Sequence, residues 1–151
     1  MPMIEVTLPA GAIAPEARDA LLDELAGKLL AREGAPDTEF FRSITWVYAN
    51  EIDPATLAVG GRAGGEPRFR VEVTVPEGAL SEKRKAGLVA DVHEAVSRAA
   101  GLGPEDGLRV WTLIRDVPEG NWGAGGEVVH FAQLRETALA ARAASAQPAP
   151  A

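Results

Sequence analysis

A chain of 151 residues, 46% hydrophobic and 25% charged, has a globular rather than disordered composition and is long enough for one domain or two small halves around a shared core. Its formal charge is -7, from 15 basic and 22 acidic residues, and the basic ones are scattered, which argues against nucleic acid as a partner. The lack of cysteine excludes disulfides and thiolate metal sites. No apolar run approaches the roughly 18 residues that span a bilayer. The start, Met1 to Val6, lacks the charged region and apolar run of a secretion signal, so the cytoplasm is the expected location.

In chain order, residues 3–8 alternate Ile4, Val6 and Leu8 with Met3, Glu5 and Thr7, the period of a half-buried strand, which Pro9 and Gly11 end. From 15 to 32, Leu21, Leu22, Leu25, Leu29 and Leu30 fall on one helical stripe, with Pro15 suited to the first turn and Gly34 and Pro36 as stops. Residues 43–50, with Ile44, Trp46, Val47 and Tyr48, read as a second strand, and 51–65 as a glycine-rich loop. A strand over 69–75 follows, then a helix capped by Ser81 whose stripe is Leu88, Val89, Val92, Val96 and Ala99, closed by Gly101 and Gly103. A fourth strand is expected over 108–115, a glycine-rich turn over 120–126, a short strand over 127–130, a helix over 131–143 and a flexible tail over 144–151.

The two halves are copies. The stretch from Ile4 to Ile13 matches that from Val71 to Leu80 at nearly every position, an offset of 67 residues, and Trp46 matches Trp111 at an offset of 65. Each half is strand, helix, strand, and a helix of this length makes the strands it joins parallel neighbours by a right-handed crossover. The expected fold is therefore α/β (α+β): duplicated β-α-β units, 1–65 and 66–143, forming a single domain with a four-stranded mixed sheet and two helices on one face. The other face would carry Glu5, Thr7, Glu72 and Thr74 beside tryptophans, a mixture that points to burial against other subunits.

Pro2 stands directly before the first strand. If Met1 is removed, its nitrogen is a free secondary amine. Terminal amines ionise at about 7.7 to 8.0, and burial favours the neutral form, so such a nitrogen can act as a base near pH 7.

The duplicated unit, the proline behind Met1 and the glycine pairs Gly60-Gly61 and Gly125-Gly126 together resemble the tautomerase superfamily, in a fused layout similar to the cis-3-chloroacrylic acid dehalogenase group. The resemblance spans roughly residues 2 to 135. It implies a cofactor-independent and metal-free isomerase acting on a small-molecule substrate, a 2-oxo acid or related carbonyl compound, as a homotrimer with Pro2 as general base. It also implies an aromatic pocket wall at Trp122, and Trp111 where a short-chain relative keeps a substrate-binding arginine. Glu39 lies near the position of an acid that activates water, and Tyr48 is a candidate proton donor to an enolate oxygen.

Arg70, beside the Pro2 counterpart Phe69, is a candidate carboxylate contact or an ion-pair partner of Glu5 or Glu72, and Arg109 is a candidate replacement anion contact. The turns Pro9 to Ile13 and Pro76 to Leu80 carry no arginine where family members that bind carboxylates do, and the first helix has no histidine. Two alternatives stay open: decarboxylase, hydratase or dehalogenase chemistry at the same proline, and a non-catalytic binding or scaffold trimer. His93 and His130 stand apart with no ligand spacing between them.

Overall fold

The computed structural model describes residues 2–146. Strand β1 (Met3–Pro9) leads through a tight turn at Gly11 into helix α1 (Pro15–Glu33), which opens with Pro15 in its first turn. The helix stops at Gly34, whose φ of 74° is the left-handed geometry that glycine adopts without penalty; the Gly34 and Ala35 N–H groups donate back to the Ala31 and Leu30 carbonyls. The one-turn helix α2 (Glu39–Ser43) follows, with the Thr38 hydroxyl accepting the Phe41 N–H at 3.4 Å, and then strand β2 (Trp46–Ile52). The strand expected from residue 43 thus starts later, because the Thr38 cap winds 39–43 into a helical turn, with Glu39 as its first residue.

The expected loop over 51–65 is only partly a loop. Its first two residues extend β2, Asp53 caps a 3₁₀ turn (Pro54–Thr56), and β3 (Ala58–Val59) pairs with β4 (Arg62–Ala63) as a small hairpin. The second unit repeats the first: β5 (Phe69–Pro76), then α3 (Glu82–Ala100), with Ser81 accepting the Arg84 N–H and Gly101 repeating the Gly34 cap at φ 65°. Pro104 opens a 3₁₀ turn (Pro104–Arg109), so β6 (Val110–Val117) begins two residues later than expected and Arg109 lies in the turn. The hairpin β7 (Gly123–Ala124) and β8 (Glu127–Val128) leads to α4 (Phe131–Ala146). Residues 144–146, expected to start the tail, continue this helix; the tail from 147 onward lies outside the described residues.

The strand order is β2-β1-β5-β6, parallel within each unit and antiparallel between β1 and β5, which makes the expected mixed sheet. Glu5 faces Glu72, its own counterpart in the repeat, so the pseudo-twofold axis passes between them. Ile4, Val6 and Leu8 of β1 and Phe69, Val71, Val73 and Val75 of β5 meet Leu21, Leu25 and Leu29 of α1 and Leu88, Val92 and Val96 of α3 in one core. The helix pair is tied across its surface by Arg32 with Asp91 at 2.6 Å and by Arg98 with Glu24. Each arginine holds its carboxyl partner below the usual range.

The opposite face of the sheet is open. Trp46 and Tyr48 of β2 meet edge to face, with ring centres 6.5 Å apart. Trp111 and Leu113 of β6 answer them across the pseudo-dyad, and the two tryptophans are 59% and 67% exposed. Between these edges Glu72 accepts from Arg115 at 2.6 Å and pairs with Arg70 at 3.3 Å, which offsets its repulsion with Glu5. Among the described residues no helix is long and apolar enough to cross a membrane.

Candidate active site

Pro2 is buried at the head of β1, with its carbonyl accepting the Trp46 N–H at 3.2 Å. The β1 register with β5 brings it beside Val75 and Pro76 at the end of the neighbouring strand. It borders a cavity of about 200 Å³ whose apolar wall includes Phe41 and Ile44 from the segment before β2. The face of α4 closes another side with Phe131, Leu134, Arg135, Ala138, Leu139 and Arg142, which recur at the spacing of a single helical stripe.

The polar groups on this cavity are Glu33, the last residue of α1, and three arginines: Arg84 from the first turn of α3, and Arg135 and Arg142 from α4. Arg84 donates to the Glu33 carbonyl at 3.4 Å. None of the three arginines has a carboxylate ion pair among the described residues. Burial pushes the Glu33 carboxyl up to about 7, so it exchanges a proton in the neutral range.

Of the site residues expected from sequence, Pro2 alone borders this cavity. Arg70, Arg109 and Trp111 line a second one, of about 430 Å³, at the other end of the sheet. Because β1 and β5 run antiparallel, Arg70 lies opposite Thr7, five residues and about 17 Å along the strand from Pro2. One chain therefore does not unite Pro2 with Arg70, Arg109 and Trp111. The cations at the far end are also committed to the framework. Arg109 donates to the Pro67 carbonyl at 2.9 Å and pairs with Asp106 at 3.0 Å and Glu66 at 3.2 Å, while Arg70 holds Glu72 and the Thr7 hydroxyl.

Trp122 is half-buried in the turn before β7, with its carbonyl accepting the Val129 N–H at 2.8 Å, and is not part of the Pro2 cavity wall. Tyr48 sits on the open sheet face, and Glu39 is exposed on α2. Sequence reasoning missed Glu33, Arg84, Arg135 and Arg142. The α4 stripe was legible as a helix, and the two arginines on its apolar side were the signal that this side meets something other than core. His130 is bound to Glu119 at 2.7 Å, and no group of three or more metal-ligating side chains converges among the described residues.

A mixed four-stranded sheet built from two β-α-β units, with a proline heading the first strand in a cavity, defines the tautomerase-like class of fold. Residues 70–132 match the family model described as tautomerase enzyme. A symmetric trimer of wild-type fused 4-OT is 25% identical, with 85% of this chain and 94% of that chain covered at a TM-score of 0.69. N1, a member of the cis-3-chloroacrylic acid dehalogenase family, shares the fold at 23% identity, 97% and 92% coverage and a TM-score of 0.73. So does a protein solved after inactivation by 2-oxo-3-pentynoate, at 19% identity, 87% and 98% coverage and a TM-score of 0.72. No curated protein matches by sequence. The family match thus falls on the second unit, and the likeness to fused 4-OT and to N1 extends over both units as a shared tautomerase-like fold with a two-unit layout.

Proposed function

We propose that the mature chain, with Met1 removed, is a tautomerase-type isomerase of small 2-oxo acids or related carbonyl compounds, working in the cytoplasm as a homotrimer without a cofactor. The single domain made of two repeats, 1–65 and 66–143, supplies one amine site per chain, because the position equivalent to Pro2, Phe69, lies inside the chain and its nitrogen is an amide. The observation that carries the reading is the burial of Pro2 at the edge of a cavity whose near wall, Phe41 and Ile44, is apolar. Such surroundings favour the neutral amine, and the amine's lone pair takes the proton from an enol hydroxyl. The released electron pair closes the carbonyl while the carbon-carbon double bond collects the proton from the prolyl ammonium at carbon. Glu33, ionising near 7 on the same cavity, is placed to exchange protons with solvent or substrate.

The same carboxyl favours a second reading, in which it activates water for hydration or decarboxylation at the proline. Ketonisation of the enol form of phenylpyruvate, followed by ultraviolet absorbance, tests the first reading. Pro2→Ala is expected to lower kcat/KM by about 10² to 10⁴-fold with the fold retained; an unchanged rate overturns it. A Glu33→Gln chain that still ketonises but no longer decarboxylates or hydrates would favour the second.

A further inference from the structure

Glu33 stands where a carboxylate is poorly accommodated. It is the last residue of α1, at the negative pole of the helix dipole, and it is half-buried on the cavity that Pro2, Phe41 and Ile44 also line. Its carboxyl makes no hydrogen bond and no ion pair among the described residues. The other charged groups around the cavity do not balance it. Arg84 of α3 donates to the Glu33 main-chain carbonyl, while Arg135 and Arg142 of α4 are exposed to water. On its own helix, Arg32 is paired with Asp91. The segment before β2 and the end of β5 contribute Phe41, Ile44 and Pro76, which carry no charge. Two influences act on the carboxyl: burial, which raises its ionisation, and the positive charge of the amino terminus, which draws it back down. Once Met1 is removed, that charge belongs to the nitrogen of Pro2, on the same cavity.

We propose that Glu33 is the counter-ion of the Pro2 amine in the mature chain, offsetting the charge of the ammonium that forms when the amine takes a proton from substrate. The word substrate rests on the isomerase reading; the pairing does not. An apolar wall alone makes an amine neutral but also a weak base, because the ammonium it becomes is left buried without a partner. A carboxylate on the same cavity removes that penalty without touching the substrate, as a fixed charge does wherever opposite charge develops during a reaction. Glu33 is thus a positioning residue that acts through Pro2. The wall lowers the ionisation of the amine and Glu33 raises it, so the two groups titrate as one coupled pair.

The pairing is tested on the mature chain, with loss of Met1 verified by intact mass and proline labelled with nitrogen-15. Each internal proline nitrogen is an amide that does not titrate, so the pH-dependent shift belongs to Pro2. In Glu33→Gln the midpoint of that nitrogen should fall by on the order of one pH unit. Glu33→Ala should give the same fall, which keeps the decision independent of how well either variant folds. Glu16→Gln, which removes the same charge from the exposed start of α1, should leave the midpoint in place. The acid limb of kcat/KM for ketonisation should move down in pH by the same amount as the midpoint, since it reports the base of the free enzyme. A midpoint in the Glu33 variants that stays with the Glu16→Gln control, or rises, overturns the pairing. The titration uses no substrate, so the two readings fail separately. A lowered midpoint in variants of a chain that does not ketonise keeps the pair and overturns the isomerase reading alone, and an unmoved midpoint in an active chain does the reverse.

Discussion

At the scale of single residues, two enclosed groups border the cavity. Under the proposed function the enclosure of Pro2 would favour its neutral amine, and burial pushes the Glu33 carboxyl up to about 7 from an ordinary 4.5. The sign of the second effect on stability follows directly. A raised folded-state value means that the folded chain holds the Glu33 proton more tightly, so the contribution is full below about pH 4.5 and is lost as pH rises through 7. Glu33→Gln is therefore expected to match the parent in denaturant titrations at pH 4.5 and to exceed it by on the order of 1 to 3 kcal/mol at pH 8. Equal pH slopes for the two chains would count against the enclosure of this carboxyl. Pro2 could be singled out as a candidate from the sequence because its candidacy depends on position alone. Glu33 was not, because one acidic residue at the end of a helix looks solvated until the fold shows which cavity the helix end borders.

Among the elements, the two helix caps offer a paired experiment. Gly34 and Gly101 are repeat counterparts, both left-handed, at φ 74° and 65°. An alanine at either costs about 1 to 2 kcal/mol of backbone strain. Nothing lies within 4 Å of a Cβ at Gly101, whereas a Cβ at Gly34 meets both arginines. Gly34→Ala and Gly101→Ala should thus both lose stability in thermal melts, and Gly34→Ala should also displace the Arg142 side chain, so equal effects of the two on the contact between α1 and α4 would count against this packing. Helices, caps and strands followed from local periodicity, and the departures came from short turns capped by Thr38 and opened by Pro104, which delay β2 and β6. The direction in which one unit pairs with the other is not a local property. Antiparallel pairing of β1 with β5 carries Arg70 and Trp111 away from Pro2, so residues close to it by repeat position are far from it in space.

For the whole molecule, the open face of the sheet is the feature that one chain leaves unsatisfied. Trp46, Tyr48, Trp111 and Leu113 present a broad apolar surface around a charged centre, of a kind that soluble monomers rarely leave uncovered. Fused 4-OT structures that share the fold are trimers, and the homotrimer proposed above would bury this face. Leu113→Asp is expected to shift sedimentation of the protein from trimer to monomer at micromolar concentration; a wild type that already sediments as a monomer would contradict the assembly. The sheet alternation made this face visible in advance, since Glu72 and Thr74 share it with the strand tryptophans.

The central claim is that a free amino-terminal Pro2 is the base. It is tested most directly by comparing two preparations of the same chain, one with Met1 removed and one with it retained, each verified by intact mass, in ketonisation of the phenylpyruvate enol. The account predicts that activity follows the fraction of chains beginning at Pro2 and vanishes when Met1 acylates its nitrogen. Equal activity in the two preparations would contradict it.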